Sequence, residues 1–466
     1  VIAGGSGDSG KTLVSLGLSL AAGRNGLPVR AFKKGPDYID AAWLSWASAH
    51  PAHNLDTFLM GFGRAAASFA AHAVPDGLNL VEGNRGLYDG LDARGTHSTA
   101  ELAKALDAPV VLVLNVTKVT RTVAAWIIGS QKLDPKVRIA GVILNQAATA
   151  RHARILREAV ESSCDVPVLG ILPRIKETNL LPERHLGLVT PEEHPRAGEL
   201  RAALLELAAS LDLDRILRIA WDAPAFTPPA VETPQLPGGR GLTIGYLRDS
   251  AFTFYYADNL AALESAGAAL IPIPALTAGA LPEGLDALYI GGGFPETHAG
   301  KLAANRAFLE SLRGAAARGL PIYAECGGLM LLSRAILWNG RRDPMSGVLP
   351  FDVEVCPTPQ GHGYTELVVD QPNPFFAQGL ALRGHEFHYS KILLEGAAPL
   401  TAAGVTRGTG CFERRDGIVA GNVWASYTHL HALATPEWAS GILNAARQFA
   451  HGRQAGQLFA LIGGIR

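Results

Sequence analysis

Two stretches of this chain carry residue types at spacings that do chemistry. Near the N-terminus, Gly5-Ser6-Gly7-Asp8-Ser9-Gly10-Lys11-Thr12 fits the phosphate-loop pattern. An apolar strand precedes it and an amphipathic helix follows, the context in which glycine-rich backbone N–H groups wrap phosphate oxygens at a helix N-terminus. Lys11 is placed to reach the β- and γ-phosphates of a nucleotide and Thr12 to hold Mg²⁺. The pattern specifies a nucleotide site and leaves the reaction open. Far along the chain, Pro321-Ile322-Tyr323-Ala324-Glu325-Cys326-Gly327-Gly328-Leu329-Met330 reads as strand, sharp turn and helix. A cysteine at such an elbow is expected to be presented to solvent, and the following helix N-terminus is expected to lower its thiol pKa.

Each centre has companions elsewhere in the chain. Lys33-Lys34-Gly35-Pro36-Asp37-Tyr38-Ile39-Asp40 and Val81-Glu82-Gly83-Asn84-Arg85-Gly86-Leu87-Tyr88-Asp89-Gly90 read as strand ends running into acid-bearing loops. In open α/β sheets ligands bind at the C-terminal ends of the strands, so Glu82 and Asp37 are candidate Mg²⁺ ligands beside Thr12. Around the cysteine, the Gly327 N–H can stabilise an oxyanion and Gly291-Gly292-Gly293, with Gly292 at its centre, can supply a second donor. A base is needed, and Trp424-Ala425-Ser426-Tyr427-Thr428-His429-Leu430-His431 offers two histidines.

Positioning these groups requires two α/β frameworks. Strands are predicted at Val1–Ala3, Val29–Lys33, Leu78–Glu82, Pro109–Val116 and Ile139–Asn145, with helical segments such as Leu13–Ala22 and Ser98–Leu106 between them. Continuous apolar strands separated by helices imply a parallel sheet covered on both faces. A breaker-rich stretch over residues 222–241 carries five prolines and three glycines and reads as a linker. The α/β pattern then restarts, with strands at Leu242–Leu247, Ala287–Ile290 and Pro321–Ala324 and a helix at Tyr256–Ala266. The expected division is residues 1–221, a linker over 222–241, and residues 242–466.

Composition narrows the function classes. A net charge of −1 supplies no basic field for nucleic acid. The four cysteines, Cys164, Cys326, Cys356 and Cys411, form no C-x-x-C pair, so neither a zinc site nor a disulfide framework is expected and a reducing cytoplasm fits. No apolar run reaches membrane-spanning length and no signal peptide is apparent. Val1 already opens a strand, so a few native residues are expected to precede it.

The elbow Tyr323-Ala324-Glu325-Cys326-Gly327-Gly328, the loop Gly291-Gly292-Gly293-Phe294-Pro295-Glu296 and the segment Ser426-Tyr427-Thr428-His429-Leu430-His431 resemble a class I glutamine amidotransferase domain of the cobyric acid synthase type. The first half resembles dethiobiotin-synthetase-like ligases built on a P-loop NTPase-like fold. Joined in this order, they resemble the cobyrinic acid a,c-diamide synthase family, and the likeness spans essentially the whole chain. Gly35-Pro36-Asp37-Tyr38-Ile39-Asp40, Phe252-Thr253-Phe254-Tyr255-Tyr256 and Gly384-His385-Glu386-Phe387-His388-Tyr389-Ser390 fit the same family.

The resemblance implies a reaction. ATP would phosphorylate a carboxylate of a corrin-type tetrapyrrole in the first domain. L-Glutamine would be hydrolysed in the second through a thioester on Cys326, with His429 as base, and the ammonia would capture the acyl phosphate. By the same analogy Asp37, Tyr38, Ile39 and Asp89 bind substrate, Glu82 belongs to the metal side, and Asn145 reads adenine alongside residues 5–12. Residues within His385–Ser390 are candidates for contact with the macrocycle. Many class I amidotransferases carry Glu two residues after the histidine; here that position is His431, so the third triad member stays open. Ligases for hydrogenobyrinic acid or nickel-sirohydrochlorin would carry the same motifs, whereas a P-loop switch protein has no use for the Cys326 elbow. A monomer and a homodimer fit equally.

Overall fold

The computed structural model describes residues 1–174, 183–184, 187–194, 196–232, 235–394 and 396–463. The chain divides into two compact units, Val1–Glu232 and Thr233–Arg466. Residues 222–232 and 235–242 carry neither helix nor strand. Among the described residues no helix is long and apolar enough to cross a membrane.

In the first unit seven strands form one sheet: β1 (Ile2–Gly4), β2 (Val29–Lys34), β3 (His53–Leu55), β4 (Leu78–Gly86), β5 (Val110–Asn115), β6 (Ile139–Ala147) and β7 (Val168–Pro173). Their order is β3-β2-β4-β1-β5-β6-β7, and every neighbouring pair runs parallel. The parallel arrangement follows from the sequence. Val110-Val111-Leu112-Val113-Leu114 has no polar face to offer water, and all five residues are buried between helices. The chain leaves β1 for β2 on one side and later crosses from β4 to β5 on the other. The C-terminal ends of β1, β2 and β4 therefore meet where the winding reverses, the place where such sheets bind ligands. One expectation needs correcting here. Glu82 was placed at a strand end, but β4 continues to Gly86, because Gly86 pairs with Gly4 after a register shift and Leu87 N–H donates to Gly4 O at 2.7 Å.

Two short strands, β8 (Glu183–Arg184) and β9 (Gly187–Leu188), pair antiparallel before the second unit begins. That unit contains β10 (Thr243–Leu247), β11 (Ala269–Ile273), β12 (Ala287–Ile290), β13 (Ile322–Glu325), β14 (Ala335–Trp338), β15 (Arg341–Pro344), β16 (Asp352–Val355), β17 (Gly361–Val369), β18 (Ala381–His388), β19 (Ser390–Leu393), β20 (Thr401–Arg407), β21 (Arg415–Ala420), β22 (Val423–Ser426) and β23 (His429–Leu430). Ten of these form one sheet in the order β11-β10-β12-β13-β22-β21-β20-β17-β18-β23, and β15-β14-β16-β19 form a smaller one. From β11 to β22 the neighbours are parallel; from β22 to β23 they are antiparallel.

The antiparallel half closes on itself. Only Tyr427 and Thr428 separate β22 from β23, yet in sheet order the two strands lie five places apart. Such a short connection requires the intervening strands to curl round. β23 accordingly returns to β13, where Leu430 N–H donates to the Glu325 side chain at 3.0 Å. Apolar clusters cover the sheet, one containing Phe308, Leu329, Leu331 and Phe351 and another containing Trp424, Trp438, Leu382 and Leu443.

Candidate active site

The phosphate loop connects β1 to the helix Lys11–Arg24. Gly5, Ser6, Gly7 and Asp8 are exposed, while Ser9 and Lys11 are buried. Gly10 caps the helix in a left-handed conformation at φ 94°, and a Cβ there would lie 2.1 Å from Asn145 Nδ2. Only glycine fits both demands. Asn145 donates from Nδ2 to Ser9 O at 2.9 Å, so this residue, expected to read adenine, holds the phosphate loop. Lys11 folds back to donate to Ser6 O at 3.1 Å and Gly7 O at 2.9 Å. Burial, and then the charge of Lys33, lower its pKa.

Beneath the loop lies a buried charge cluster. Thr12 Oγ1 donates to Glu82 Oε1 at 2.8 Å. Lys33 Nζ reaches Glu82 Oε1 at 2.9 Å, Asp40 Oδ2 at 2.5 Å and Gly83 O at 3.2 Å. Burial works against the Lys33 ammonium, yet Asp40 and then Glu82 raise its pKa above the ordinary value. Burial raises the Glu82 carboxyl, and its Oε2 is buried with no hydrogen-bond partner among the described residues. Asp37 caps the helix Tyr38–Ser48 by accepting from Asp40 N–H at 2.8 Å. Burial, reinforced by Asp40, pushes its carboxyl up to about 7. The helix start also explains why Tyr38 and Ile39 are buried, at 8% and 7% exposure. Asp89 Oδ2 accepts from Gly86 N–H at 2.8 Å and so fixes the turn after β4. Lys33 and Asp40 are the members that motif reading passed over, although both stand inside the acid-bearing segment it singled out.

In the second unit Cys326 follows β13 at φ 48° and ψ −98°, and the helix Gly327–Leu332 begins directly after it. A non-glycine residue held at positive φ is strained, a feature that collects at functional sites. Cys326 N–H donates to Ser426 O at 2.7 Å, tying the elbow to β22. The residue is 5% exposed rather than presented to solvent, and this reverses the expected direction of its pKa. Burial, followed by the charge of Glu296, raises the thiol above the usual range and outweighs the Gly327 N–H that lowers it. Gly327 is packed so closely that a Cβ would meet Gly293 N at 3.0 Å. Gly292, expected as an oxyanion donor, lies close to the histidine: a Cβ there would be 2.7 Å from His429 Cε1. The amide that faces Gly327 is that of Gly293.

The two histidines separate. His429 is buried in β23 with Nδ1 3.3 Å from Glu325 Oε2, and its ring stacks on His385 at 5.0 Å. His385, in register opposite it on β18, takes the Tyr256 hydroxyl at 3.1 Å on Nδ1. Burial, then the neighbouring His429, hold His385 well below the ordinary pKa, so it stays neutral. His431 turns away: its Nε2 lies 3.5 Å from Asp258 Oδ2 and its Nδ1 accepts from Leu433 N–H at 3.2 Å.

Two further carboxylates hold this region: Asp416, unseen in the sequence, and Glu386, quoted there only within a longer segment. Asp416 accepts from Gly417 N–H at 2.9 Å, Tyr427 N–H and Thr428 N–H at 3.1 Å, and the Cys411 thiol at 2.9 Å, which fixes the turn that carries His429. Glu386 accepts from Thr409 and Gly410 N–H at 2.6 and 2.9 Å. The segment expected to touch a macrocycle is thus largely committed inward. His385, Glu386, His388 and Ser390 are all buried, with His388 stacked on Tyr427 at 3.7 Å and Ser390 bonded to the Tyr427 hydroxyl at 2.9 Å.

Comparison with known proteins decides the family. Residues 1–189 match the CobQ/CobB/MinD/ParA nucleotide binding domain, and residues 243–437 match the CobB/CobQ-like glutamine amidotransferase domain. A Magnetococcus marinus protein named cobyrinate a,c-diamide synthase is 44% identical, over 92% of this chain and 93% of its own length. Proteins of the same name from Dehalococcoides mccartyi and Salmonella typhimurium are 41% and 37% identical, each over 96% of this chain and 98% of the relative. The chain belongs to the cobyrinate a,c-diamide synthase family. Family membership makes it an enzyme, a glutamine-dependent amidating ligase, and accounts for a nucleotide-binding unit and an amidotransferase unit in one chain.

Proposed function

We propose that the enzyme converts the a and c acetate carboxylates of cobyrinic acid into carboxamides, using ATP and L-glutamine. What supports this most directly is the presence in one chain of a phosphate loop over Thr12 and Glu82 and of a strained Cys326 elbow beside His429. A carboxylate is a poor electrophile. Its oxygen attacks the γ-phosphorus of ATP, ADP leaves, and the acyl phosphate gains a good leaving group. In the second unit the Cys326 sulfur attacks the glutamine amide carbon, His429 passes the thiol proton to the departing nitrogen, and ammonia is released as a thioester forms. Water then frees glutamate. Ammonia adds to the acyl phosphate carbonyl, phosphate departs, and the amide remains.

In this reading residues 5–12 and Asn145 form the nucleotide site within a synthetase domain over residues 1–221, and Asp37, Tyr38, Ile39 and Asp89 belong to the substrate side. Gly327 and the Gly292–Gly293 backbone hold the oxyanion in an amidotransferase domain over residues 242–466. Thr12, Glu82 and Asp37 are hard oxygen donors of the kind Mg²⁺ requires and would hold it, and the buried Glu82 Oε2, without a hydrogen-bond partner among the described residues, fits such a cation. Held there, it would neutralise charge on the nucleotide phosphates.

The test is to incubate the protein with cobyrinate, ATP, Mg²⁺ and glutamine and to weigh the product. Two exchanges of a carboxylate hydroxyl for an amino group are expected, and an unchanged mass removes cobyrinate as substrate. Hydrogenobyrinate and nickel-sirohydrochlorin in parallel reactions identify the macrocycle.

A further inference from the structure

The geometry points to Glu325, the residue immediately before the nucleophile, as the carboxylate that orients the catalytic histidine, in place of the acid missing two residues after it. The inference rests on the glutaminase reading above and names its third member. Two of three groups would then sit side by side at the end of β13, with the third delivered by β23.

Three observations carry the assignment. First, Glu325 Oε2 stands 3.3 Å from His429 Nδ1 on a residue with no solvent exposure. A proton on Nδ1 donated to that oxygen leaves Nε2 as the basic nitrogen, the tautomer a thiol-activating histidine needs. Second, the other neighbours of Glu325 all donate. Leu430 N–H and the Tyr323 hydroxyl reach Oε1 at 3.0 and 3.1 Å, and the Tyr289 hydroxyl reaches Oε2 at 3.3 Å. Burial, followed by the Glu325 charge, raises both tyrosines well above their ordinary range, so they remain donors. Four donors on two oxygens suit a carboxylate, which only accepts, and not an amide, which must also donate. Third, the competing acids are engaged elsewhere: Asp258 lies beside His431, and Asp416 is bonded to backbone and to Cys411.

Glu325 touches no reacting atom in this scheme; it is a positioning residue that acts through His429. A merely structural role would also explain its burial, so the test must separate the two. Glutaminase rates are measured for wild type, Glu325→Gln, His429→Ala and the double variant, with thermal melting of each. Wild-type glutamine hydrolysis that vanishes in Cys326→Ala establishes the underlying reading independently. Given that, Glu325→Gln is expected to lower kcat on the order of 100-fold or more, as loss of a histidine-orienting carboxylate does. Its KM for glutamine is expected to stay within about threefold, since only transition-state support is lost. In the His429→Ala background the same change should cost almost nothing further, because residues acting through one another are non-additive. Glu325→Asp should recover part of the loss. Full activity in Glu325→Gln overturns the proposal, and so does an equal loss in both backgrounds. Failure of both Glu325 variants to fold would make the residue a structural prop and overturns it as well.

Discussion

The two centres are built on opposite plans. In the first unit the phosphate loop lies open over a cluster of one lysine and three acids whose charges do not settle among themselves: Glu82 Oε2 has no partner among the described residues and the Asp37 carboxyl is pushed up to about 7. In the second unit the two carboxylates nearest His429 are fully engaged. Glu325 receives four donors, Asp416 receives four, and Cys326 is almost enclosed. The difference follows from what each must meet. A site for a polyanionic nucleotide gains affinity from charge that only the ligand completes. A site that forms a covalent bond to a neutral amide gains rate from groups already in place.

The sharpest way to break this comparison is to disable each centre and offer ammonia in place of glutamine. Cys326→Ala is expected to lower glutamine-driven amidation on the order of a thousandfold or more while ammonia still supports it. Lys11→Ala should abolish product with either nitrogen source. If ammonia fails to rescue the cysteine variant, the two centres are not the independent half-reactions their architectures suggest.

The fully engaged Asp416 carboxylate predicts a large stability effect. Asp416→Ala strands two backbone donors of the turn that carries His429 in a buried setting and should cost roughly 2–5 kcal/mol. Calorimetry should show a Tm lower by roughly 5–15 °C for a unit of this size. An unchanged Tm would mean that the turn holds without its carboxylate.

The first unit predicts a smaller loss, expressed in binding. Gly10→Ala introduces a side chain at φ 94° directly against Asn145. Left-handed strain of about 1–2 kcal/mol corresponds to roughly tenfold weaker nucleotide binding, which isothermal titration would read. Asp37 supplies the smallest and most diagnostic effect. Its folded pKa, about 7, exceeds the ordinary 3.8, so the folded protein holds this proton more tightly than the unfolded one. Stability from this group is therefore full at low pH, falls as pH rises from about 4 to about 7, and stays lost above that. Asparagine caps a helix as well as aspartate does and carries no charge. Without nucleotide or Mg²⁺, Asp37→Asn should melt above wild type at pH 8 and level with it near pH 4. A pH-independent difference would show that the carboxyl is not held protonated.

These contrasts also explain what the sequence made legible. The phosphate loop is contiguous, so Gly5 to Thr12 could be read directly, and so could the strand-turn-helix around Cys326. The parallel strands of the first unit were visible because burial on both faces leaves them uniformly apolar. The strands between Ala335 and Leu430 were not read: β17, Gly361-His362-Gly363-Tyr364-Thr365-Glu366-Leu367-Val368-Val369, mixes buried and exposed positions without a clean run. Glu325 was quoted within the elbow and yet passed over. Its partner lies 104 residues away, brought there by the pairings of β13 with β22 and of β18 with β23, while the signal sought, an acid two residues past the histidine, is His431. The inverted thiol pKa was missed because a helix N-terminus can be inferred from spacing and the depth of burial cannot.

The curling of the antiparallel strands has a consequence beyond catalysis. An outermost strand ordinarily exposes a row of unpaired amide groups, which invites other chains to add on. Here the last strand is two residues long, lies buried, and spends its Leu430 amide on Glu325. The carboxylate that lies against His429 therefore also seals the seam of the sheet. Variants that loosen this junction would bare an adhesive edge, so light scattering on standing should register the damage alongside any assay of turnover.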